Sequence, residues 1–233
     1  MLSTSSQVIR QSVSAPLALK KPARQAQGLF TAGHRDQDRA LLETLVFDGF
    51  HKSYQANLTD FMPLLVGIGN EKPESVVGIR TGAERFFVET YLSVSVDARL
   101  AGTPLATRRS RLAEIGNLYS SASHHTIPLL LVTALALYKQ NYEVLVFTAT
   151  HALRDLMANS GIELTVLADA DINALSDDEK VKWGSYYDTT PQVVAVSLSS
   201  IVTTLFANRR VKKLFSAVVD QCARLSSQIE VAV

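Results

Sequence analysis

The sequence predicts an α/β (α+β) fold, a mixed sheet with helices on both faces, and three observations carry that prediction. Glu143-Val-Leu-Val-Phe-Thr-Ala-Thr150 is a nearly continuous β-branched and apolar run, as expected of a strand buried on both faces. Arg111 to Ala170 reads as strand, helix, strand, helix, strand. The first junction in that stretch, Ala122-Ser-His-His-Thr126, runs straight into a long apolar helix. Such a junction aims free helix N–H groups at a ligand and suits an anionic or carbonyl-bearing small molecule.

In chain order, residues 1–33 lack sustained periodicity and are punctuated by Pro16, Pro22, Gly28 and Gly33, which predicts a loosely ordered arm. From Asp36 the apolar positions Leu41, Leu42, Leu45, Val46 and Phe50 recur at three and four, the period of an amphipathic helix. Phe61 to Ile68, the turn Gly69-Asn-Glu-Lys-Pro73 and Val76 to Ile79 form an antiparallel hairpin. Phe86 to Leu92 fits a short helix or an extended run equally. After the Gly102 to Pro104 break comes a strand from Arg111 to Ser121, then a helix over Thr126 to Gln140 with Pro128 tolerated in its first turn. The central strand follows, then a helix from His151 to Ser160 closed by Gly161, a residue suited to the left-handed position after a helix. Glu163 to Ala168 is a strand, Asp169 to Lys180 an acidic connection, and Val193 to Leu198 the closing strand. Beyond Val211, the spacing of Phe215, Val218, Cys222, Leu225 and Ile229 predicts an amphipathic helix docked on its own domain or on a dimer mate. The domain plan is an arm at 1–33, a main domain at 34–198 and a helical tail at 199–233.

Composition narrows the function. A chain of 233 residues with 47% hydrophobic content can bury one sizeable core. A net charge of +1 supplies no global field for nucleic acid. The single cysteine, Cys222, excludes an intramolecular disulfide framework and a zinc site built on several cysteines, and fits a reducing, cytoplasmic setting. The five histidines do not pair with carboxylates at ligand spacing, so no metal is expected. No Sec-type signal is visible, and the uncharged run Thr126 to Tyr138 is shorter than the roughly 18 to 20 residues a membrane helix needs.

Five motifs in one order, Arg85-Phe-Phe-Val-Glu-Thr-Tyr-Leu92, Glu114-Ile-Gly-Asn-Leu118, Val146-Phe-Thr-Ala-Thr150, Leu167-Ala-Asp-Ala170 and Trp183-Gly-Ser-Tyr-Tyr187, make residues 35–198 resemble the bacterial thermostable hemolysin family. The resemblance implies a GNAT-like acyltransferase fold related to acyl-homoserine-lactone synthases and N-acyl amino acid synthases. It implies that the strand at Arg111 to Ser121 splays from the one at Glu143 to Thr150, that an acyl thioester lies in the gap, and that Leu118, Tyr119, Ser120, Ser121, His124, His125 and Thr126 hold the donor. The donor is then acyl-CoA or an acyl-carrier-protein phosphopantetheine, and the acceptor a small amine or amino acid. One departure bears on the donor: Ser121 to Thr126 contains no glycine, which hinders close backbone approach to a pyrophosphate and favours a carrier protein or a lipid donor.

Glu114 falls where such enzymes place a base for the incoming amine; otherwise it binds a neighbouring arginine such as Arg85 or Arg111. Asn117 reaches the same cleft only if a bulge interrupts the strand, which Gly116 can supply. His151 begins the helix after the central strand and can orient the acceptor or act as a base, or have no role there. Tyr187 is the candidate acid for the departing thiolate, with Tyr186 beside it and Trp183 as an apolar wall; all three can equally be packing. Glu84, Arg85, Asn117, Thr148 and Trp183 complete the candidate substrate contacts. Ser120, Ser121 and Ser123 beside His124 lack the Gly-x-Ser-x-Gly elbow of a serine hydrolase. Arg108, Arg109 and Arg111, and Arg209, Arg210, Lys212 and Lys213, can meet an acidic carrier protein or lipid heads, or be solvated faces. Two functions follow: an N-acyltransferase, as monomer or dimer, or a membrane-active hemolysin-like protein without catalysis whose basic tail supplies lipid affinity; the expected location is the cytoplasm, with peripheral contact to the inner membrane open.

Overall fold

The computed structural model of the chain describes residues 28–209, 212–213, 216 and 219–232. The expectations for residues 1–27 and for Arg210, Val211, Phe215 and Val218 lie outside the described residues. Seven strands, β1 (Gly28–Ala32), β2 (Leu64–Gly69), β3 (Pro73–Thr81), β4 (Leu112–Ser120), β5 (Val144–Ala149), β6 (Thr165–Asp169) and β7 (Gln192–Ser197), form one sheet in the order β1-β2-β3-β4-β5-β7-β6. Only β4 and β5 are parallel neighbours; every other pairing is antiparallel. The helices are α1 (Arg39–Tyr54), α2 (Val96–Leu100), α3 (Thr126–Lys139), α4 (His151–Asn159), α5 (Asp177–Lys182), α6 (Leu198–Ala207) and α7 (Val219–Ala232).

Alternation along the strands divides the core. Leu145, Phe147, Val194 and Val196 point to one face, where they pack with α3 and with Ile201, Leu205, Cys222, Leu225 and Ile229 of α6 and α7. Val144, Val146, Val193 and Ala195 point to the other, against Phe86, Val88 and α2. On that second face Leu65 and Val76 meet Leu42, Val46 and Phe50 of α1. Helix α3 is apolar nearly all round because the sheet covers one side and α6 and α7 the other. Local signals act as read: Thr150 caps α4 by accepting from the Leu153 N–H, and Gly161 follows the helix with φ +78°.

Two local expectations are corrected and one open alternative is settled. Residues 28–32 are not a loose arm but the edge strand β1, paired with β2 from Gly28↔Gly69 to Ala32↔Leu65; five residues are too few to show a period. Phe87–Tyr91 is a 3-10 helix. Its ambiguity in the sequence has a physical origin, since the turn is held by a distant carboxylate, described below. The acidic connection ends in α5, started by a capping box in which Ser176 and Glu179 bond to each other's backbone N–H.

Candidate active site

Strand β4 is bonded to β3 along nearly its whole length, from Thr81↔Ala113 to Ser75↔Ser120. Toward β5 it is paired only at Leu112↔Val144, Ala113↔Leu145 and Glu114↔Val146. Beyond those pairs the two strands part, and a mostly apolar cavity of about 390 Å³ occupies the gap. Ile115 to Ser120 form one wall and Phe147, Thr148 and Thr150 the other. The cause is visible in the register, where Val76 faces Tyr119 and Gly78 faces Gly116, so β4 carries one residue more than β3. This β-bulge bends β4 away from β5. Asn117 takes the left-handed conformation at φ +49°, a strain that Asn tolerates better than most residues.

The bulge also brings Glu114 and Asn117 to the same cavity. Asn117 Oδ1 accepts the Met62 N–H at 2.8 Å, and a Cβ on Gly78 would lie 3.0 Å from it, so only glycine leaves that space. The expected bulge is present, but the residue with positive φ is Asn117 and not Gly116. Glu114 is 1% exposed. Its carboxylate accepts the Phe87 N–H at 2.9 Å, the Val88 N–H at 2.8 Å and Arg80 Nη1 at 3.2 Å. Burial pushes its pKa up, while these three donors oppose the shift. The arginine beside it is therefore Arg80, and neither Arg85 nor Arg111; the latter donates to the Asn141 carbonyl. By holding the first N–H groups of the 3-10 helix at Phe87–Tyr91, Glu114 also sets the aromatic wall.

That wall gathers Phe50 and Tyr54 from α1, Phe87 and Tyr91 from the 3-10 helix, and Trp183 and Tyr186 after α5. Trp183 and Tyr186 lie 5.1 Å apart, and Tyr54 meets Tyr186 edge-on at 5.3 Å. The hydroxyls of Tyr91 and Tyr187 share a hydrogen bond. Tyr91 lines the cavity whereas Tyr187, the candidate acid, does not and reaches it only through that bond. Burial raises both phenols, that of Tyr187 to about 12. At the far end, Ala152, Leu153 and Leu156 of α4 extend the apolar lining.

Of the other candidates, Leu118, Tyr119, Ser120, Thr126, Thr148 and Trp183 line the cavity. Ser121, His124 and His125 do not. His125 is buried with Nε2 2.8 Å from Glu74 Oε2, Ser121 donates to the Glu74 carbonyl, and the His124 ring lies tilted against that of His125. The β4–α3 junction is thus tied to β3. His151 is exposed and 3.6 Å from Asp155, outside the cavity. Glu84 and Arg85 are exposed and also outside it. Arg109 is committed internally, bonded to Glu89 and stacked over Phe86, leaving Arg108, Arg209, Lys212 and Lys213 as the exposed cations of the two basic groups among the described residues. Phe50, Tyr54, Met62, Arg80 and Tyr91 were not singled out as site residues; the only sequence signal for the first two is their i, i+4 spacing on α1.

Among the described residues no cluster of three or more His, Cys, Asp or Glu is arranged to hold a metal, and no helix is long and apolar enough to cross a membrane. Comparison with solved structures shows what the architecture resembles. The AHL synthase LasI matches at a TM-score of 0.52 and 11% identity, covering 74% of this chain and 90% of that one. The CoA-dependent acyl-homoserine lactone synthase BjaI, with MTA, matches at 0.52 and 8%, covering 78% and 89%. TofI in an apo form gives 0.52 and 12%, covering 77% and 95%. At such identities the likeness is one of fold, and the fold is GNAT-like. No curated protein sequence matches the chain. The family model described as "Thermostable hemolysin" matches residues 32–202, and the chain, with its parted β4 and β5, belongs to the thermostable hemolysin family.

Proposed function

We propose that this protein is an N-acyltransferase that moves a long-chain acyl group from a thioester carrier, acyl-carrier protein or acyl-CoA, to an amine or amino acid. The observation that carries the proposal is the early end of β4–β5 pairing and the cavity it opens. A strand edge freed in this way offers N–H and C=O groups from Ile115 to Ser120 that an extended pantetheine arm can pair with as a further strand. The thioester carbonyl then reaches the region of Glu114 and Asn117, and the apolar lining of Phe147, Leu153 and Leu156 receives the acyl chain. Glu114, raised by burial, serves as base for the amine, directly or through water. Tyr91, supported by Tyr187, donates to the departing sulfur. The exposed Arg108 and the basic residues near position 210 are the surface offered to an acidic carrier protein, and the reaction is placed in the cytoplasm.

The reading as a lytic protein needs the basic, heptad-like tail to turn its apolar seam to lipid. Cys222, Leu225 and Ile229, the described part of that seam, are buried against α3 instead. The test is to incubate the pure protein with acyl-CoA and acyl-carrier-protein donors and follow free thiol. Release that requires an added amine is expected; no binding or release with either donor across a broad acceptor screen would refute the transferase.

A further inference from the structure

Gly78 of β3 and Gly116 of β4 face each other across the two strands. Opposed glycines weaken a ladder, and they stand where another group approaches the sheet closely. That group is Met62. A Cβ on Gly78 would lie 2.6 Å from Met62 Cβ and 2.9 Å from its Cγ, and a Cβ on Gly116 would lie 2.6 Å from its Cε, so the thioether runs along the recess that the pair leaves. The Met62 backbone is fixed from both sides, its N–H donating to Asn117 Oδ1 at 2.8 Å and its carbonyl accepting from Nη2 of the buried Arg39 at 2.9 Å. Met62 also lines two spaces. A second cavity of about 110 Å³ adjoins the gap and shares Met62, Phe87, Gly116, Asn117 and Trp183 with it. The rings of Phe87 and Trp183 pack on each other at 5.7 Å, Gly116 has no side chain, and Asn117 is held by its hydrogen bond. The thioether is therefore the shared side chain that can change without breaking those contacts. Charges at the rim of the second cavity are paired within the protein, Lys182 with Asp60 at 3.1 Å and Arg80 with Glu84 and Glu114 at 3.2 Å each, so the space suits an uncharged, apolar group.

We infer that Met62 is a specificity-determining residue of the transfer: it closes the side cavity to the acyl donor and so selects chains that are unsubstituted at the carbon next to the thioester carbonyl. This rests on the transferase reading, in which that carbonyl reaches the region of Glu114 and Asn117. Asn117 is bonded to the Met62 backbone and Gly116 lies under the Met62 Cε, so the acyl carbon beside the carbonyl comes against the thioether. A methyl branch on that carbon needs the space that the end of the Met62 side chain fills. Methionine is adaptable, but swinging aside would empty the glycine recess, and an unfilled recess in a packed wall is costly. With the side chain shortened, the branch gains both the recess and the side cavity, which is ample for a group the size of a methyl.

The test is a calorimetric titration of the full chain with two thioether analogues of the donor, each carried on CoA and on acyl-carrier protein. In both, a methylene separates the sulfur from the carbonyl; one has a straight chain, and the other bears a methyl on the chain carbon next to the carbonyl. The unaltered protein is expected to bind the straight analogue about tenfold more tightly, the size of a modest overpacking penalty. Met62→Ala should bring the two within about twofold of each other, while Met62→Leu, which keeps the bulk, should retain the preference. A merely structural role for Met62 would weaken both analogues alike and leave their ratio unmoved. Met62→Val, which keeps atoms over Gly78 and vacates the space over Gly116, gives the same reading if Met62→Ala does not fold. Equal binding of the two analogues by the unaltered protein, or a preference unchanged in the shortened variants, overturns the role of Met62 and leaves the transferase standing. Failure of both analogues to bind on either carrier refutes the gap as donor site, and the transferase reading with it.

Discussion

Glu114 sits where two opposed demands meet. Removal from water pushes its pKa up, while two backbone N–H groups and Arg80 favour the ionised form, and the net shift is upward. A carboxyl whose folded pKa exceeds its unfolded one holds more protons folded than unfolded between the two values. Its stabilising contribution is complete below the ordinary carboxylate pKa and is lost as pH rises through the raised one. A base must be ionised, so the rate should move the other way, rising with pH across that same window. Glu114→Gln should flatten both profiles. It also leaves three donors facing one amide oxygen, which should cost about 1–3 kcal/mol in urea unfolding. Full activity in Glu114→Gln would remove the residue from the chemistry. Gly49 presents a different balance, since a Cβ there would lie 2.3 Å from the ring of Tyr119. Alanine in a helix gains up to about 1 kcal/mol over glycine. Forcing the ring aside costs about 1–3 kcal/mol. Gly49→Ala should therefore lower the melting temperature despite its better helix propensity, and disturb the cavity that Tyr119 lines.

At the scale of elements, α7 decides between a tail and a structural part of the domain. Leu225 is fully buried, and Gln140 Nε2 after α3 donates to the Ser226 carbonyl at 2.9 Å. Leu225→Ala should cost about 2–5 kcal/mol, the range for a large aliphatic removed from a packed core. Chemical denaturation measures it, and a loss below about 0.5 kcal/mol, typical of surface sites, would show α7 to be a loosely attached appendage. The β4 bulge is the other decisive element. It consists of one extra residue, yet it separates two parallel strands that would otherwise continue pairing past Glu114. The same element gives Asn117 its place beside Glu114, where regular alternation would send it to the opposite face.

For the whole molecule, the gap is the place inside the sheet where two neighbouring strands stop pairing, and a ligand that completes it should stabilise the fold. A non-hydrolysable thioether analogue of the acyl donor at about 100 times its Kd adds about 2.7 kcal/mol. For a chain of this length that corresponds to a rise of roughly 5–10 °C in melting temperature. An analogue that leaves the melting curve unchanged at such concentrations would speak against the gap as donor site. Much of this architecture was legible beforehand. The β-branched run at 143–150, the period of α1 and the apolar stretch after Thr126 report burial directly, because burial on one or both faces selects residue types at a fixed spacing. The candidate donor contacts Leu118, Tyr119, Ser120 and Thr126 line the cavity too, but they came from the family resemblance, which implied a splayed strand there, and not from periodicity. Glu74, Arg80 and Tyr91 left no such mark, since their importance comes from partners 34 to 96 positions away, namely His125, Glu114 and Tyr187. By itself the sequence determined most of the strands and helices, though not β1 or α5, and that a polar break precedes α3, because those properties depend on neighbours within a few residues. Which carboxylate is buried, which tyrosine faces the gap and where opposite charges gather beside it were decided only when the sheet brought distant strands together, because side-chain pairing across a sheet is set by register and by a single bulge.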